Sequence, residues 1–245
     1  MANPILNENT FVGENYTQYG MTEVMTKNGV IAKTATLFGI MLIASALSWY
    51  KAVTAPAFAG MMMTVGAFGG LVVAIILAFK RELAGYLTPL YAVLEGLFVG
   101  AFSCYFEAEF PGIVYQAVLG TFAVLFSVLA LYASRVIVVT ERLRGIIFSA
   151  TLAILIVYLV AFVLFLFGIA VPFLHQPNLI GIGISVFIII VAAANFLLDF
   201  DNIERGINNM APKYYEWYCS FGVLVTLVWV YLEILRLLAM IARRR

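Results

Sequence analysis

Four acidic residues, Glu95, Asp199, Asp201 and Glu233, lie within or at the ends of long apolar runs. A carboxylate at the centre of a hydrocarbon-length helix costs about 2.5–3.5 kcal/mol even on insertion scales, so such groups face a bundle interior, pair, and mark pathways. Asp199 and Asp201 are about 200° apart around a helix of 3.6 residues per turn and cannot share one groove. Asp201 has Arg205 at i+4 as a charge partner, whereas Asp199 has no cation at i+3 or i+4. Asp199 is therefore the inward-facing candidate and Asp201 the secondary one.

Glu233 admits two readings. In one, Arg236 at i+3 neutralises it on the same helix face and lets the helix insert. In the other, Glu233 and Asp199 come from neighbouring helices and share a proton, because two carboxylates in a dry site do not both ionise. Protonated, the pair is a closed, hydrogen-bonded latch; deprotonated, it repels and offers hard oxygen ligands to a cation such as Ca²⁺. Glu95, near the middle of its run, would extend the path. Glu107 and Glu109 either enrich cations at one mouth or are ordinary solvated loop residues. His175 reads as a solvated loop imidazole, and Cys104 and Cys219 as apolar packing residues that should not bridge. An intramembrane aspartyl protease would want a Gly-x-Gly-Asp turn, which Tyr231-Leu232-Glu233 lacks, so no enzyme is expected.

The elements that must position these acids follow from composition. Of 245 residues, 64% are apolar and 11% charged, with mean hydropathy +1.04; soluble domains are roughly half apolar and a quarter charged. An all-α integral membrane protein is expected. A net charge of +1 gives no face for nucleic acid, and no phosphate loop, metal-ligand spacing or cofactor motif appears. Seven apolar runs of spanning length lie at about 31–52, 58–79, 85–106, 112–134, 145–171, 178–200 and 218–241. Residues 1–30 read as a polar surface tail without a cleaved signal peptide, with Asn28-Gly29 as a turn, and 31–245 as a single seven-helix domain. The last run, Tyr218 to Met240, carries Glu233 and is expected inside a ring of the other six.

Short loops make neighbouring helices antiparallel. Lys27 and Lys33, Lys80 and Arg81, Arg135 with Arg142 and Arg144, and Arg205 with Lys213 then share one side, which the bias of Lys and Arg toward the cytoplasm makes the inside. Arg243, Arg244 and Arg245 fall outside on this map, unless the final helix dips and returns. Gly96-x-x-x-Gly100, Gly181 and Gly183, and Ala192 to Ala194 are small residues of the kind that let membrane helices approach closely.

The stretches Leu94-Glu95-Gly96-Leu97, Leu198-Asp199-Phe200-Asp201 and Val230-Tyr231-Leu232-Glu233-Ile234-Leu235 together resemble the transmembrane Bax inhibitor motif family. Pro111-Gly112-Ile113-Val114 and Leu119-Gly120-Thr121-Phe122 belong to the same pattern, and Asn3-Pro4-Ile5-Leu6-Asn7 is similar to the opening of a bacterial branch. The resemblance runs almost end to end. It implies seven helices with the last one central, and a pH-sensitive calcium leak governed by two aspartates on the sixth and seventh helices. Those positions match Asp199, with Asp201 as the register alternative, and Glu233, where this chain has Glu for Asp. On straight helices the two would differ by about 10–15 Å in depth unless the helices tilt or the sixth continues to about Met210. The resemblance also allows a regulatory membrane protein that binds a membrane protease or a stress-response partner and transports nothing. The expected location is the bacterial inner membrane, N-terminus inside, with lipid, Ca²⁺ and protons as partners.

Overall fold

In hydrocarbon a helix satisfies its backbone polar groups within one segment, and long apolar runs take that form. A computed structural model describes residues 24–168 and 178–244, apart from the side chains of Phe165 and Leu166. Its helices are α1 (Lys27–Thr54), α2 (Ala59–Phe79), α3 (Ala84–Glu109), α4 (Ile113–Ala133), α5 (Glu141–Leu166), α6 (Leu179–Asn208) and α7 (Tyr214–Ala242). Short 3-10 turns at Pro56–Phe58 and Arg81–Leu83 lead into α2 and α3. All seven helices are long and apolar enough to cross a membrane. Among the described residues the only strand-like pairing is one isolated bridge, Val24 to Pro212. His175, the opening Asn3 to Asn7 segment and the expected end of the fifth span lie outside the described residues.

The ends of the helices correct the sequence reading. Asn28-Gly29 is no turn: α1 starts at Lys27, and Thr26 caps it by accepting from the Gly29 N–H. Arg142 and Arg144 belong to the first turn of α5 rather than to a loop, and Arg205 lies on α6, which continues to Asn208. Hydropathy marks where hydrocarbon ends, but a helix has no reason to stop there when its flanking residues are good helix formers such as Arg and Glu. Asp199 is consequently an interior residue of α6. α7 is one unbroken helix of 29 residues, about 43 Å at 1.5 Å per residue, which exceeds the ~30 Å of hydrocarbon and rules out a final segment that dips and returns.

The chain packs as two compact units, one built from the described residues up to Glu109 with Asp199–Val225, the other from those of Phe110–Leu198 with Thr226–Arg245. In the first, α3 is held by glycine contacts on two sides. A Cβ on Gly96 would run into Met41 O and Ala44 of α1, one on Gly100 into the Ser45 backbone, and one on α2 Gly66 into the α3 backbone at Leu94 and Phe98. These are the close approaches that small residues permit. The Ser48 hydroxyl donates to Leu97 O at 2.7 Å across the same α1–α3 seam. Gly183, by contrast, faces open space, so tight packing does not account for it.

In the second unit, Val139, Ile147, Leu197 and Leu198 form one buried cluster, and Ile154, Ile188 and Val191 another, with Tyr158 and Trp229 packed against it. Asn195 Nδ2 donates to Thr151 Oγ1 at 2.9 Å, tying α6 to α5. At the C-terminal end of α7 the Arg243 guanidinium lies 5.8 Å from the centroid of Phe110, just ahead of α4. In α7 56% of the most apolar stretch is buried, against 44% in α3 and less elsewhere, so the last helix is the most enclosed.

Candidate functional site

Spacing on α7 sets out the first constellation. Trp229, Glu233 and Arg236 are separated by i+4 and i+3 steps and lie on one helix face. Glu233 is 5% exposed. The Tyr158 hydroxyl, from α5, donates to its Oε1 at 2.5 Å. Arg236 Nη2 stands 2.6 Å from Oε2, an ion pair too oblique to count as a hydrogen bond. Trp229, one turn back, is a further hydrogen-bond partner of the carboxylate. The same guanidinium sits 5.4 Å from the centroid of the Tyr158 ring, within cation–π range. Arg236 and Glu233 are thus ion-paired on one helix, and a tyrosine from a second helix completes the arrangement.

The remaining predicted residues fall in the other unit. Asp199 is fully buried on α6, with Cys219 of α7 inside its electrostatic reach. Asp201 is ion-paired with Arg205 Nε at 2.8 Å. Glu95 is half-buried on α3; Tyr91, one turn earlier, is its hydrogen-bond partner, and a Cβ added to Gly70 of α2 would come 3.1 Å from its Oε2. The spacing of Gly70 and Glu95 thus leaves the carboxylate room at the α2–α3 seam. Glu107 and Glu109 end α3. Asp199 and Glu233 belong to different units.

Two features escaped the sequence reading. One is Tyr158, an aromatic residue in an apolar run, whose hydroxyl in hydrocarbon was the available signal because a buried tyrosine O–H usually finds a partner. The other is Glu216 at the start of α7, which is buried. Its Oε1 accepts from Thr26 N at 2.8 Å and Thr26 Oγ1 at 3.0 Å, and its Oε2 pairs with Lys33. A Cβ on Gly29 would collide with this carboxylate. Glu216 thereby supplies negative charge at the N-terminus of α1, where unsatisfied amides and the helix dipole favour it. The strap continues through Met25 N–H donating to Ala211 O at 2.8 Å and Ser220 Oγ donating to Val30 O at 3.1 Å.

Among the described residues no three His, Cys, Asp or Glu side chains are grouped as a metal-ligand set. Cys104 and Cys219 are both free thiols.

Seven membrane-length helices, the last most enclosed, with acids buried along them, define an all-α integral membrane protein of polytopic type. The chain belongs to the Bax inhibitor 1 like family, which it matches over residues 3–243, nearly its whole length. That is a family of membrane proteins often linked to calcium-leak or channel activity. No curated protein and no solved structure matches the chain.

Proposed function

We propose that this protein is a proton-responsive cation leak, with Ca²⁺ as the transported ion and Asp199 and Glu233 as the acids that govern it. The observation that carries the reading is the burial of both acids, 0% and 5% exposed, on helices of membrane-spanning length. Neither is at a helix end, and such residues are retained in hydrocarbon chiefly for ion or proton traffic. A protonated carboxyl offers a cation no charge; loss of the proton frees oxygen ligands of the kind Ca²⁺ prefers. Glu95 and Asp201 are secondary members, and Arg236 and Arg205 are the charge partners. The chain is oriented with its N-terminus inside, in a bacterial inner membrane, and performs no catalysis.

Purified protein in vesicles loaded with a Ca²⁺ indicator tests this. Flux is expected to rise with pH in the wild type and to lose that dependence in Asp199→Asn and in Glu233→Gln, while Asp201→Asn retains it. Absence of Ca²⁺ flux from correctly inserted wild-type protein would sink the reading. It would leave the regulator that binds a membrane protease or other partner.

A further inference from the structure

Glu233 has three polar partners, and two of them, Trp229 and Arg236, belong to its own helix. Tyr158 is the one that comes from another helix, and it touches both charged members: its hydroxyl is on Glu233 Oε1 and its ring face is under the Arg236 guanidinium. The ring is itself fixed by packing against Ile154, Ile188 and Val191, while on the other side Ile234 meets Gly120 of α4.

This arrangement is the one an arriving dication must disturb. Ca²⁺ binds oxygen at 2.3–2.6 Å. Here one oxygen already holds a hydroxyl proton, and beside the other stands a guanidinium whose charge repels a second cation at close range. A hydrogen bond to a charged group contributes about 1.5–3 kcal/mol, so the hydroxyl alone can alter the apparent affinity of the carboxylate for a cation by about tenfold or more.

We propose that Tyr158 is a positioning residue that holds the Glu233 carboxylate against Arg236, so that a divalent cation reaches Glu233 only by displacing the Tyr158 hydroxyl. The inference rests on Glu233 being an acid that meets the transported cation, and it assigns the regulation of that acid to α5. It makes the Tyr158 hydroxyl a brake whose removal eases cation access, whereas a purely structural tyrosine would alter stability alone.

Trp229, beside the carboxylate, provides a readout independent of transport. With Trp49→Phe and Trp217→Phe as background, Trp229 is the sole tryptophan, and its emission is followed as CaCl₂ is added to the purified protein in nanodiscs. Tyr158→Phe, which keeps the ring under Arg236, is expected to lower the Ca²⁺ concentration at the midpoint by about tenfold. A ring-fluorinated tyrosine in place of Tyr158, a stronger donor of the same shape, moves it the opposite way and covers the case in which the phenylalanine variant does not fold. Ile154→Val, a packing change on the same face of α5, leaves the midpoint within about twofold. A midpoint unmoved by Tyr158→Phe and by fluorination overturns the proposal, as does a Trp229 signal that fails to respond to Ca²⁺ in any of these proteins. If the midpoints shift as described but vesicles carry no Ca²⁺ flux, Tyr158 keeps its role and the transport reading is what fails.

Discussion

Gly29 shows what a missing side chain is for. As a pair, Asn28-Gly29 has the composition of a turn, yet both residues are helical and the glycine leaves space that the Glu216 carboxylate fills. Gly29→Ala is therefore expected to destabilise the protein by about 2–3 kcal/mol through displacement of a buried charge. Gly39→Ala, on the same helix with open space around it, should be neutral or stabilising by up to about 1 kcal/mol. Thermal unfolding of the two variants in one detergent makes the comparison. The ion pair behind this contrast can be separated by a double-mutant cycle. Lys33→Met strands the buried Glu216 carboxylate and should cost about 3–5 kcal/mol, Glu216→Gln leaves only the half-buried Lys33 unpaired and should cost less, and the double variant should cost less than the sum; strict additivity would show that the pair contributes nothing. At this scale the sequence was half legible. Asp201 with Arg205, and Glu233 with Arg236, follow from helical spacing because both partners lie within one turn. Tyr158 with Glu233, and Glu216 with Thr26, join residues 75 and 190 positions apart, and local spacing carries no trace of such pairs.

Seven spans could be read from hydropathy because a bilayer imposes one length on every segment that crosses it. Their true ends could not, since a helix that leaves hydrocarbon continues until its caps stop it, as α6 does to Asn208. The Gly96-x-x-x-Gly100 reading was also sound, and the structure adds the identity of the partner, α1. Alanine at either glycine would press on backbone atoms of α1, which cannot rotate away, so the two helices would have to separate. We expect Gly96→Ala and Gly100→Ala each to lower the unfolding temperature clearly and to weaken cysteine cross-linking between α1 and α3. Gly183→Ala, with nothing nearby, should do neither. Equal behaviour of all three variants would show that the α1–α3 seam is looser than described.

For the molecule as a whole, an unbroken α7 and the distribution of Lys and Arg in the connections support the proposed sidedness, which reporter fusions test. Activity reporters fused at Arg135 should be cytoplasmic, and those fused at Gly112 and at the C-terminus external. A C-terminal reporter active only inside would contradict seven crossings from an inner N-terminus. The strap between Thr26 and Glu216 adds a consequence in time. Its two halves are 190 positions apart, and at roughly 5–20 residues per second a ribosome needs about 10–40 s to pass from one to the other. Through that interval Lys33 on α1 is without its Glu216 partner. Only when α7 emerges does Glu216 arrive to pair with it, so the seventh helix closes the cap of the first, and a chain halted before Tyr214 leaves that cap open while α1 stays packed on α3.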